Sequence, residues 1–157
     1  FEKNQNIISV VGDDFPKDTL DDLNRRGIDT KGLQVKEGEK TFFWSGKYHN
    51  DMNSRDTLIT ELNVLENFDP LVPEEYQDSE YLMLGNLSPL VQSTVITRLN
   101  KRPKLIAMDT MNFWMDIAMG DLEKTISMVD LLIINDEEAR QLSNLSRFDG
   151  VHFGHAL

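Results

Sequence analysis

The chain has 157 residues, 27 acidic side chains against 16 basic ones, a formal charge of −11 and no cysteine. That length suggests one domain of ordinary size, and the missing cysteines exclude disulfides, thiolate metal sites and a cysteine nucleophile. The acidic balance argues against non-specific binding to nucleic acid or acidic membrane, which needs clustered Lys and Arg. No apolar run approaches the roughly 20 residues needed to span a bilayer, and no start like a signal peptide occurs. The expectation is a soluble, cytoplasmic protein, with no membrane partner. The first residue is Phe1 rather than Met, so a trimmed or partial start is expected.

In chain order, Ile7 to Val11 is a short apolar run closed by Gly12, Asp13 and Asp14, which reads as a buried strand and turn. Pro16 suits the first turn of a helix running to about Arg26, with Leu20 and Leu23 on its apolar side and Gly27 as its stop. Leu33 to Lys36, Thr41 to Tyr48 and Thr57 to Val64 read as strands. Glu37-Gly38-Glu39-Lys40 makes a hairpin turn between the first two. In the last strand Leu58, Thr60, Leu62 and Val64 share one face. Together these predict a small antiparallel piece attached to an α/β body.

From Tyr81 the rhythm is regular. Strands are predicted at Tyr81 to Leu84, Lys104 to Met108 and Leu131 to Ile134. Helices are predicted at Pro89 to Lys101 with Leu90, Thr94 and Ile96 or Leu99 inward, at Phe113 to Met128 with a break at Gly120, and at Asp136 to Leu142. Strands about 25 residues apart with helices between them are βαβ units, so the sheet should be parallel, with helices on both faces. The predicted class is α/β, a partial doubly wound sheet with a small β lid. The body is drawn as residues 1–32 and 65–143, the lid as 33–64, and 144–157 is left unassigned.

Ligands of open α/β sheets bind at the carboxyl ends of strands. Three strands here end in polar residues: Asn86, Asp109 and Asn135. Loop starts are polar with or without function, so each alone also reads as ordinary surface. Asn135 followed by Glu138 has the spacing of a capping box. It also suits a carboxylate facing hydrated Mg²⁺ and nucleotide phosphates, and a cap can orient such a carboxylate. Asp109 to Trp114 reads either as a substrate or nucleotide wall that includes Asn112, or as an N-cap region with Phe113 and Trp114 in the core. Phe42, Phe43 and Trp44 are consecutive, so one at least points away from the core. A lid, a dimer face or a strand buried on both sides would each explain this. His152 and His155 lack a third ligand, and Gly120-Asp121 reads as an N-cap. No Walker loop and no G-x-S-x-G elbow occurs.

Several segments together resemble the PfkB family of carbohydrate and nucleoside kinases, with the ribokinase-like fold. Val11-Gly12-Asp13-Asp14-Phe15 is similar to the family's V-G-x-D segment, and Arg26-Gly27-Ile28-Asp29-Thr30 to its G-V-D-T. Met108 to Trp114 is similar to D-x-N-x-x-x-W, and Ile134-Asn135-Asp136-Glu137-Glu138-Ala139 to N-x-x-E. The resemblance implies ATP and Mg²⁺ as cofactors, with Asn135 and Glu138 near the phosphates and Glu138 reaching the metal through water. It implies a sugar or nucleoside acceptor met by Asn86, Asp109 and Asn112, and a lid that often mediates a homodimer. Asn86 stands where many relatives carry an acidic residue. Family members are about twice this length, and these 157 residues contain neither the family's Gly-Gly substrate segment nor its G-A-G-D motif with the catalytic Asp. The expectation is therefore a fragment of a sugar or nucleoside kinase that is inactive alone. The alternative is a non-catalytic module that pairs through its lid.

Overall fold

The computed structural model describes residues 5–50 and 55–144. The tail, with His152 and His155, lies outside the described residues. The chain divides into two compact units, residues 1–77 and 78–157.

In the first unit, β1 (Gln5–Gly12) runs into α1 (Lys17–Arg25) and then β2 (Ile28–Lys36), which pairs with β1 in parallel. Pro16 stands just before the helix rather than inside it. Gly27 takes a φ of 76°, a left-handed conformation that only glycine adopts without steric cost, and the helix stops there. Parallel pairing corrects one expectation. Leu33 to Lys36 is not a hairpin strand; it is the end of β2 and matches Leu33 to Ser9 and Lys36 to Gly12. Hydrophobic alternation cannot distinguish a body strand from a lid strand, because both show period two.

The antiparallel piece is a two-stranded ribbon, β3 (Phe43–Tyr48) with β4 (Arg55–Glu61). It is shorter than expected at its far end. Asn63–Leu65 forms a 3₁₀ turn instead of strand, entered through Asn63 at φ 46°. The turn breaks the predicted face: Val64 is buried, whereas Leu58 is 62% exposed. Phe42 and Phe43 are also exposed, so this is not a strand buried on both sides.

The second unit holds a three-stranded parallel sheet in the order β5 (Tyr81–Leu84), β6 (Leu105–Asp109), β7 (Leu131–Ile133). Between the strands lie α2 (Pro89–Thr97), α3 (Asn112–Ile117) and α4 (Met119–Ile126), and α5 (Asp136–Asn144) follows β7. Ile106 and Met108 are fully buried, while Tyr81, Met83, Leu105, Leu131 and Ile133 are exposed. The strands therefore alternate, covering one sheet face within this unit. Two further expectations are corrected. On α2 the buried residues are Pro89, Gln92, Ser93 and Val95, and Leu90 points outward. The helix break falls at Ala118, with φ −140°, and not at Gly120. Gly120 and Asp121 lie inside the first turn of α4, so Asp121 is no N-cap.

Candidate functional site

Parallel pairing sends the carboxyl ends of β5, β6 and β7 to one edge. Leu84 is level with Met108, and Met108 with Leu132. Asn86, Asp109 and Asn135 all follow these positions within three residues. The structure thus brings three predicted residues to one sheet edge.

Asn86 and Asn135 use their side chains in local bonds, and Asp109 accepts at its backbone carbonyl from Gln92. Asn86 accepts a hydrogen bond at Oδ1 from the Trp114 indole N–H, 2.9 Å, and its Nδ2 lies 3.0 Å from Met111 Sδ. Trp114 is buried and packs edge-on against the half-buried Phe113 with centroids 4.9 Å apart, which places this aromatic pair with the core. Asn112 donates to Gln141 Oε1 at 2.5 Å, and Gln141 donates to Asp116 Oδ1 at 2.8 Å, which ties α3 to α5. Asn135 and Glu138 form a reciprocal capping box. Glu138 N–H donates to Asn135 Oδ1 at 2.9 Å, and Asn135 N–H donates to Glu138 Oε2 at 3.0 Å. Glu138 is only 4% exposed, so the cap holds a carboxylate at the edge of the sheet.

The donor set limits what cation this edge can take. Among the described residues no group of three His, Asp or Glu side chains is placed to hold a metal. One Glu138 oxygen is already engaged by its cap. A hydrated Mg²⁺ contacted through its waters fits this set, and direct coordination by several carboxylates does not.

A second polar cluster lies in the first unit, at the root of the ribbon. Asp14 Oδ1 accepts from the Thr41 N–H at 2.7 Å and from its hydroxyl at 2.6 Å. The same hydroxyl accepts from Gly12 N–H at 2.9 Å. Asp13 Oδ2 accepts from Gly38 N–H, and Asn63 Nδ2 donates to the Thr41 carbonyl, both at 2.9 Å. The Thr41 bonds hold the Asp14 carboxyl below the usual carboxylate range. A cleft of about 400 Å³ opens here, lined by Asp14, Lys40, Phe42, Phe43 and Glu61 among others. Sequence reading found Asp13 and Asp14 as a turn and missed this clamp. Its signal was thin: two carboxylates after a strand, and a Thr 27 residues later.

Comparison with known proteins agrees with this architecture. The family profile for pfkB family carbohydrate kinases matches residues 3–152. Among solved structures, a Methanocaldococcus jannaschii nucleoside kinase, described as an archaeal member of the ribokinase family, is 20% identical with a TM-score of 0.71. The match covers 93% of this chain and 48% of that one. A Burkholderia thailandensis nucleoside kinase, solved with inosine, is 11% identical with a TM-score of 0.64, covering 88% and 46%. A Pyrococcus horikoshii sugar kinase is 19% identical with a TM-score of 0.58, covering 92% and 51%. This chain therefore spans about half the length of these structures. No curated protein matches. With the profile match extending over nearly the whole sequence and the ribokinase-like fold beneath it, the chain belongs to the pfkB carbohydrate kinase family.

Proposed function

We propose that these residues form one part of a kinase that moves the γ-phosphoryl group of ATP to a hydroxyl of a sugar or nucleoside. The observation that carries this reading is the shared edge of β5, β6 and β7, on which Asn86, Asp109 and Asn135 stand within a pfkB-family chain. Asn86, Asp109 and Asn112 would meet the acceptor. Asn135 and the buried Glu138 would lie on the phosphate side, with Glu138 facing Mg²⁺ through water. Bound Mg²⁺ would neutralise charge on the phosphate oxygens. The protein's own part is to hold the polar groups of the edge still, because phosphoryl transfer depends mainly on positioning and electrostatic stabilisation.

The ribbon, from Phe43 to Glu61, is the proposed lid. The described residues contain no helix long and apolar enough to cross a membrane. The 157 residues contain no G-A-G-D segment, and the chain by itself is proposed to be inactive. The test is ADP release from ATP and Mg²⁺ over a panel of sugars and nucleosides. No acceptor-dependent ADP is expected. Robust acceptor-dependent ADP that Glu138→Gln abolishes would overturn the inactivity.

The exposed apolar side chains of the ribbon, Phe43, Leu58 and Ile59, favour a second reading, a module that pairs with another copy through this lid. Light scattering across a wide concentration range tests the pairing. A strictly monomeric chain rules out self-pairing.

A further inference from the structure

We propose that Gln92 is a positioning residue that ties the carboxyl ends of β5 and β6 together and so fixes the edge carrying Asn86 and Asp109. Gln92 lies on α2 and is 2% exposed. Its Nε2 donates to the Gly85 carbonyl at 2.8 Å and to the Asp109 carbonyl at 2.9 Å. Both partners only accept. The amide orientation is therefore determined, since a flipped amide would set its oxygen against two oxygens.

The location gives the bond its meaning. The last matched pair of β5 and β6 is Leu84 with Met108. Gly85 directly follows β5 and Asp109 is the last residue of β6, so Gln92 bridges the peptides where the β5–β6 ladder ends. Asn86 follows Gly85 directly, and its Oδ1 takes the Trp114 indole N–H. One side chain thus holds both strand ends, and Trp114 reports on the first of them. Gln92 Oε1, and the hydroxyl of Thr110 next to Asp109, are buried without a hydrogen-bond partner among the described residues. The hold comes from the nitrogen alone. Any effect of Gln92 on an acceptor rests on the kinase reading above; the bridge itself does not.

The test uses the full chain and the indole N–H signal of Trp114 by NMR, in a Trp44→Phe background that leaves one tryptophan. Gln92→Met keeps the length and removes both donors. It is expected to shift the signal and to raise its exchange with solvent tenfold or more. Gln92→Glu can donate one hydrogen when protonated and none when ionised. Its signal is expected to approach the parent's at acidic pH and to follow Gln92→Met at alkaline pH, with the parent run at each pH as reference. An unchanged signal in Gln92→Met overturns the proposal. If Gln92→Met does not fold, Gln92→Glu decides: a variant that stays unfolded, or keeps a displaced signal, at acidic pH, where its carboxyl carries the hydrogen, leaves only a packing role and overturns it. No substrate is needed, so failure of the kinase reading leaves this result intact.

Discussion

The sheet of β5 to β7 and the ribbon of β3 and β4 are held in place by different forces. The sheet buries Ile106 and Met108 completely on one face. Along β3 and β4 no described side chain is buried. Burial of apolar area stabilises the sheet. The ribbon instead keeps its place through hydrogen bonds at one point, where Asp14, Gly12 and Asn63 converge on Thr41. A two-stranded ribbon alone is marginal in water, so its root matters more than its length. The ribbon is thus anchored at one end and unburied elsewhere, whereas the sheet is fixed by the face on which Ile106 and Met108 pack.

The largest effect should come from the sheet. Met108→Ala removes a fully buried side chain and should lower stability by about 2–5 kcal/mol in urea unfolding. A loss near that of a surface substitution would mean that the sheet is not the stability core.

Next is Gly12→Ala. A Cβ there would lie 2.2 Å from the Glu39 carbonyl oxygen and 2.6 Å from the Thr41 nitrogen, all backbone. The turn must move, at about 1–3 kcal/mol. Amides of β3 and β4 should then exchange with solvent faster than those of β6, by mass spectrometry. Equal acceleration in both regions would contradict a local root.

Tyr76 sharpens the comparison within the first unit. Its ring is 2% exposed, and its hydroxyl donates to Asp29 Oδ1 at 2.6 Å. Burial, then that bond to Asp29, pushes the hydroxyl from its ordinary 10.0 up to about 12. The folded state holds this proton more tightly than the unfolded chain. The stabilisation is full below pH 10 and is lost as pH rises toward 12. Tyr76→Phe should cost about 1–2 kcal/mol at neutral pH. Between pH 10 and 12 the variant should lose less stability than the parent, measured as denaturation midpoints. Parallel pH curves would show that Tyr76 is not the titrating group.

The smallest effect is expected for Ile59→Ala on the ribbon. Ile59 is 46% exposed, and the change should stay within about 0.5 kcal/mol. A larger loss would show that another surface covers this residue in solution.

Much of the architecture was legible in the sequence. Tyr81 to Leu84 ends where the strand ends, and Leu131 to Ile134 is one residue too long, because short apolar runs bounded by polar turns have few other solutions. The capping box of Asn135 and Glu138 was legible for the same reason: it is a local contact with a fixed spacing. Strand pairing was not local. Leu33 to Lys36 alternates in the same way whether it joins β1 in parallel or β3 as a hairpin, and only the register with Ser9 to Gly12 decides it. The inward face of α2 was also missed, since Gln92 is buried for two carbonyls on other elements that no periodicity encodes.

By itself the sequence determined the alternation of strands and helices, the polar residues at three strand ends and the family, because each depends on residue type and near spacing. Tertiary structure decided that Thr41 is the root of the ribbon, that Gln92 joins two strand ends and that Trp114 occupies the Asn86 amide. Those contacts span 27, 17 and 28 residues, and hydrogen bonds across such distances exist only once the chain has folded around them.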